Sequence, residues 1–234
     1  DKIILSGRAP IGIGLLDSVG LLKYVLPELQ ACQGAKQPRN EHAEGDVYTH
    51  ALLALEKTDE SCDLATRYAV LFHDLGKPGT SKIRKGKITF YGHPEVGAEV
   101  AFRICKRLKF SRQETEKIVW LVRNHMVPDD FLAMRLSTRR KWGLNPYFSD
   151  LLKVYRADAA ASLSPSGKGQ NSPRCYREGL KILKEMSAMP ELKKPILSGN
   201  DVMRILRIKP GPLVGNILGI LEEKKLANDL RTRK

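Results

Sequence analysis

All five histidines of this chain fall between His42 and His125, and one stands in the run Leu71-Phe72-His73-Asp74-Leu75-Gly76-Lys77-Pro78. Imidazole nitrogen and carboxylate oxygen are the donors that hold hydrolytic divalent metals, and here the two arrive side by side at the end of an apolar run. His50 precedes the pair, while His93, His125 and Asp158 follow it. The set reads as a metal site gathered from several helices. Adjacent residues on a helix diverge by about 100°, so His73 and Asp74 reach one ion only at a frayed helix end, where Gly76 and Pro78 stop the regular geometry. His50 and Asp158 are expected to complete that position, and His93 and His125 to form a second one beside it. Two ions about 3.5–4 Å apart would bridge a water and polarise a phosphoryl oxygen. Asp74 is expected as ligand and proton acceptor, and Lys77 as a point charge for substrate phosphate. His42, in a polar loop, is the weakest member of the set.

The donor types suit Mn, Fe, Co, Ni or Mg, one or two ions. Cys32, Cys62, Cys105 and Cys175 lie far apart with no Cys-x-x-Cys pair, which argues against a thiolate zinc site and against a disulfide framework. Reduced, buried cysteines and a cytoplasmic location are expected. No run approaches the roughly 18 apolar residues of a membrane helix, and the first residues do not look like a signal peptide. The formal charge of +14 on 234 residues, with a pI near 9.7, favours a polyanionic partner, nucleic acid first. A mean hydropathy of −0.31 is that of an ordinary soluble protein.

The elements that must position these side chains are helical. Apolar residues from Leu15 to Leu29 predict two short helices around Gly20, and Gln33 to Gly45 reads as a loop. Helices are expected over Val47–Leu55 and Leu64–Phe72, with Gly76, Pro78 and Gly79 breaking the second. Ser81 to Phe90 alternates around Lys85-Gly86 as a short hairpin. Pro94 suits a first helical turn running on to about Leu108, and Ser111 with Glu114 is a capping-box start for the helix that ends near His125. Asp129-Asp130 reads as a solvated turn. Tyr147–Leu163 forms a further helix, followed by the turn-rich linker Ser164 to Pro173. Helices near Arg174–Met189 and on either side of Lys209-Pro210-Gly211-Pro212 close the chain. The class is all-α with one minor hairpin.

These residues carry a resemblance. Tyr48-Thr49-His50-Ala51-Leu52, Phe72-His73-Asp74-Leu75-Gly76-Lys77-Pro78 and Tyr91-Gly92-His93-Pro94-Glu95 resemble an HD-domain phosphohydrolase. More narrowly the chain is similar to the HD-bearing C-terminal half of bacterial tRNA nucleotidyltransferases, the CCA-adding enzymes and poly(A) polymerase relatives. The similarity runs from Leu26-Pro27-Glu28-Leu29 through Asn124-His125 and Ala157-Asp158-Ala159 to Ser198-Gly199-Asn200-Asp201 and Pro210-Gly211-Pro212. It implies a multi-helix HD domain with a hairpin insertion, a ligand set of His50, His73, Asp74 and Asp158, and His93 and His125 as extra ligands in dinuclear members. It also implies domains over 1–45 (helical neck), 46–163 (HD) and 164–234 (RNA-binding helical tail). The Gly-Ser pair and spaced carboxylates of that family's nucleotide-adding head are absent, so this chain alone is not expected to add nucleotides. Either a head is missing from it or it is a stand-alone HD protein.

Two basic groups lie outside the metal set. Lys106, Arg107, Lys109 and Arg112 gather at one helix end, and Arg135, Arg139, Arg140 and Lys141 stand beside Trp142. Lys and Arg near an aromatic ring bind backbone phosphate and stack on bases, so Arg139, Arg140 and Lys141 are RNA candidates. Lys209 and Gly211 join them, because Pro-Gly-Pro leaves free N–H groups at a helix start. The expectation is a metal-dependent phosphoester hydrolase that binds tRNA or another RNA. The competing readings are a non-catalytic RNA-binding module with a vestigial site, and a hydrolase of nucleotides or cyclic dinucleotides.

Overall fold

The computed structural model describes residues 1–38, 42–163 and 173–228. Its helices are α1 (Lys2–Leu5), α2 (Ala9–Ser18), α3 (Leu22–Val25), α4 (Pro27–Gln30), α5 (Val47–Glu56), α6 (Leu64–Phe72) and α7 (Lys77–Thr80). Strands β1 (Lys82–Arg84) and β2 (Lys87–Thr89) follow, then α8 (His93–Arg107), α9 (Arg112–Asn124), α10 (Leu136–Gly143) and α11 (Phe148–Ala161). The C-terminal region holds α12 (Pro173–Ala188), α13 (Gly199–Leu206) and α14 (Pro212–Leu226). The protein is all-α apart from the antiparallel β1–β2 hairpin. No helix among the described residues is long and apolar enough to cross a membrane.

The chain divides into two compact units, Asp1–Asp129 with Asp150–Tyr176, and Asp130–Ser149 with Arg177–Lys234. Helices start where side chains can cap them. Asp46 accepts from Thr49 N at the start of α5, Asp63 accepts from Thr66 N at the start of α6, and Ser111 and Glu114 form a reciprocal capping box on α9. In the first unit, α6, α8 and α9 pack together and bury Leu71, Phe72, Ala98, Ala101, Ile104, Ile118, Leu121 and Val122. The four cysteines are buried and form no disulfide.

The N-terminal segment differs from expectation. A helix forms from Ala9, earlier than Leu15, because Pro10 pre-sets the first turn. Pro27 then splits the following stretch into α3 and α4, since it cannot continue a helix that precedes it. Pro78 does not keep the chain irregular either: it occupies the first turn of α7.

In the second unit α14 packs on α10 and α13. Phe131 stacks on Phe148 with ring centroids 5.2 Å apart. Arg140, expected at a surface, is only 2% exposed. Its guanidinium pairs with Glu185 and donates to Leu226 O at 2.6 Å and Asn228 Oδ1 at 2.8 Å. It therefore holds the unit together and offers nothing to a phosphate. Arg139 is paired with Glu178, whereas Lys141, Lys209 and Gly211 are exposed. The expected linker, Ser164 to Pro173, lies outside the described residues except for Pro173, as does the terminal Arg231-Thr232-Arg233-Lys234.

Candidate metal centre

Five elements of the first unit converge on Asp74. His50 comes from the middle of α5, His73 closes α6, His93 opens α8, His125 closes α9 and Asp158 comes from α11. His50, His73, Asp74, His93 and His125 are all buried. The end of α6 settles how two adjacent residues face one point: His73 is still helical, and the chain turns at once through Gly76 into α7. Gly76 is required there for space. A Cβ on it would sit 2.1 Å from His93 O and 2.6 Å from Gly97 N, so only glycine lets α8 approach the turn that carries Asp74.

The histidines are pre-oriented by a repeated device. His73, His93 and His125 each direct Nδ1 at the carbonyl three residues earlier, Val70 O at 2.7 Å, Phe90 O at 2.9 Å and Val122 O at 2.7 Å. A carbonyl can only accept, so Nδ1 carries the hydrogen and Nε2 faces the centre. His50 does the same against a carboxylate, with Nδ1 2.7 Å from Glu44 Oε1. Outer partners of this kind fix the ring and tautomer of metal-binding histidines.

The inward atoms form two groups joined by Asp74. His50 Nε2 lies 3.3 Å from His73 Nε2 and 3.0 Å from Asp158 Oδ1. Asp74 Oδ2 is 3.2 Å from His73 Nε2 and 3.7 Å from His50 Nε2. On its other side Asp74 Oδ1 is 3.4 Å from His93 Nε2 and 3.9 Å from His125 Nε2, and those two nitrogens are 3.2 Å apart. Donors sharing one ion at about 2.1 Å stand roughly 3.0–3.4 Å from each other. Nitrogen lone pairs facing at such distances repel unless a proton or cation lies between them. Asp74 Oδ2 is also buried with no well-directed hydrogen-bond donor, although the Lys77 ammonium is 2.6 Å away as an ion pair. The donor set fits divalent metal, and His50, His73 and Asp74 on one side and Asp74, His93 and His125 on the other are each close enough to share an ion.

The titration behaviour of the metal-free cluster follows from its charges. Burial would lower His73, but the carboxylates of Asp74 and Asp158 outweigh it and push the imidazole up to about 10. Burial and the His73 charge bring His125 down to about 3. Burial opposes ionisation of Glu44, yet its bonds to His42 and His50 hold it at about 2. The proton favoured on His73 stands where a cation would.

A cavity of about 680 Å³ opens over the second group and is lined by Lys77, Tyr91, His93, His125, Asp129, Tyr155, Asp158 and neighbours, a volume in the range of small-ligand sites. Lys77 lies at this wall, but its ammonium is engaged by Asp74 and by Gln37 Oε1 at 2.7 Å. Two residues of the site, Glu44 and Tyr155, were not singled out in the sequence. Glu44 receives both His42 Nδ1 and His50 Nδ1 at 2.7 Å, and its second oxygen accepts from Leu163 N at 2.8 Å. Through it His42, the weakest candidate, joins the cluster and lines the cavity. Asp129 does lie in an exposed turn, but it also accepts from Tyr155 OH at 2.9 Å at the cavity wall. A carboxylate two residues after His42 and six before His50 was the only hint of Glu44.

Residues 46–161 match the HD domain family, and the buried His-Asp pair with its converging histidines is the centre of that domain. Beyond the domain, the chain is 34% identical over 238 residues to the A-adding tRNA nucleotidyltransferase of Deinococcus radiodurans, covering 98% of this chain and 54% of that protein. It is likewise 34% identical over 238 residues to the CC-adding tRNA nucleotidyltransferase of Thermus thermophilus, covering 100% and 52%. A multifunctional CCA protein of Halorhodospira halophila is 36% identical over 127 residues, 54% of this chain and 30% of the relative. The chain spans about half the length of the first two of these relatives. It contains an HD domain and is homologous, over nearly its whole length, to part of the tRNA nucleotidyltransferases.

Proposed function

We propose that this chain is the tRNA-holding body of a tRNA nucleotidyltransferase-like protein, of its C-terminal half and in the cytoplasm, and that its HD centre hydrolyses phosphoesters. The hydrolase reading is carried by one observation: four pre-oriented imidazole nitrogens and the Asp158 carboxylate gather around Asp74 beneath an open cavity. His50, His73, Asp74 and Asp158 would hold one ion, and Asp74, His93 and His125 a second. Bound Mn, Fe, Co, Ni or Mg supplies Lewis-acid polarisation of a phosphoryl oxygen and a water acidic enough to attack at neutral pH. Lys77 keeps Asp74 ionised through their 2.6 Å pair and has N–H capacity left to turn toward a substrate phosphate. Asp129, Tyr155 and His42 supply polar groups at the wall that can orient the rest of the ester.

The tRNA partner is supported by the names of the relatives, which add A or CC to tRNA, and by the charge of +14. Lys141 and Lys209 are exposed cations suited to backbone phosphate, and Gly211 precedes the first turn of α14, whose leading N–H groups favour an anion. Arg139, tied to Glu178, would act by positioning that surface. Hydrolysis of 2',3'-cyclic AMP and of a generic phosphodiester across Mn, Ni, Co and Mg tests the reading, with Asp74→Ala as control. Turnover by the wild type and none by the variant supports it. Steeply salt-dependent tRNA binding without any cleavage would leave a non-catalytic RNA module.

A further inference from the structure

The wall of the cavity continues into a surface that the hydrolytic site does not use. Residues Ile88 to Gly92 line the cavity, and they are β2 and the chain leaving it. Between Ser81 and Tyr91 the sequence carries Lys82, Arg84, Lys85 and Lys87 and no acidic residue. None of the four lies in an ion pair among the described residues. The register pairs Lys82 with Thr89, Ile83 with Ile88 and Arg84 with Lys87. Directly opposed residues share a face, so Lys82, Arg84 and Lys87 stand together on one side and Lys85 at the tip.

Lysines on exposed edges also discourage strand pairing, but that explains neither of two further features. Arg84 and Lys87 are like charges placed directly opposite each other, an arrangement that destabilises a two-stranded ladder and is relieved when an anion lies against it. Tyr91 is 75% exposed, and the Arg84 guanidinium sits over its ring at 5.4 Å from the centroid. A ring presented to solvent beside cations is the pairing that stacks an unpaired base and holds its phosphates. It stands at the mouth of a cavity whose floor carries His93, His125 and Asp74.

We propose that the β1–β2 hairpin and Tyr91 form a binding platform for single-stranded RNA that leads a strand end to the HD cavity. The site then favours polynucleotide ends over free mononucleotides. The choice of RNA rests on the function proposed above; the platform itself rests on the hairpin.

The test is fluorescence anisotropy of a labelled single-stranded oligoribonucleotide on the full chain, in EDTA, so that the result does not depend on hydrolysis. The variants are Tyr91→Ala and Lys82→Ala/Arg84→Ala/Lys87→Ala, with Lys2→Ala/Lys23→Ala/Lys57→Ala as a charge-matched control away from the cavity, and melting curves to verify folding. Loss of one base stack should weaken binding on the order of tenfold in Tyr91→Ala. Loss of three phosphate contacts should lower the slope of log affinity against log salt by about 2 in the hairpin variant. Wild type should also bind the single strand more tightly than a blunt duplex of the same sequence or the mononucleotide. Hairpin variants that bind like the charge-matched control, or equal affinity for strand and duplex, would overturn the platform. Absence of any phosphoester cleavage would overturn only the hydrolase reading.

Discussion

Replacing Gly76 by alanine separates a spatial requirement from a conformational one. Gly76 has an ordinary right-handed backbone, φ −80° and ψ −17°, so alanine is not excluded by torsion. What excludes it is α8: the new Cβ would meet His93 O at 2.1 Å and Gly97 N at 2.6 Å, both backbone atoms, where ordinary contact begins near 3.4 Å. The turn and the helix must therefore part by roughly 1.3 Å, with little room for a side chain to yield. Overpacking of this kind costs about 1–3 kcal/mol, and with backbone on both sides of the clash the upper figure, about 3 kcal/mol, applies. For a chain of this size each kcal/mol moves Tm by about 2–4 °C, so Gly76→Ala should melt about 6–12 °C lower by calorimetry. Gly97→Ala, facing the same seam, meets atoms only at 3.3–3.4 Å and should shift Tm by less than about 4 °C. The displacement also carries His93 away from Asp74 Oδ1, so titration calorimetry should show the Asp74–His93–His125 position weakening before the other. A Gly76→Ala protein that melts within about 2 °C of wild type would refute the steric reading of this turn.

Glu44→Gln keeps the shape of the site but removes the charge that fixes His50 and His42; metal affinity by titration should fall about 10- to 100-fold. Arg140→Met should destabilise the second unit by about 2–3 kcal/mol in urea, because Glu185, partly exposed, and Leu226 O lose their cation. Asp63 is held below the usual carboxylate range, Lys117 and the capped Thr66 outweighing its burial. Its contribution to stability is present above the unfolded value near 3.9 and is lost as pH falls from there through the lower folded value, so Asp63→Asn should flatten the acid limb of stability against pH.

The helices around the site were legible because their signals are local. Val47 follows a cap and Ser111-x-x-Glu114 is a reciprocal box, so those starts matched their expected places. The Lys85-Gly86 tip gave the hairpin, both residues taking positive φ in the structure. The candidate ligands were legible as residue types, and their division into two positions was expected from the sequence; that Asp74 stands between the two with one oxygen toward each was not. Which oxygen of Asp74 faces which histidine pair depends on how five elements cross. Glu44 was illegible for the same reason: its roles as partner of His42, His50 and Leu163 N are set by tertiary closure. Arg140 shows the reverse error. A cation in a basic run reads as surface, and only the packing of α10 against α14 puts it inside.

Elemental analysis decides whether the cluster around Asp74 holds divalent metal. Protein loaded with Mn or Ni and freed of excess should carry one to two ions per chain, and Asp74→Ala, which removes the carboxylate shared by both groups, should carry none. A wild type that retains no metal, or an Asp74→Ala protein that retains as much, would contradict metal binding at this cluster.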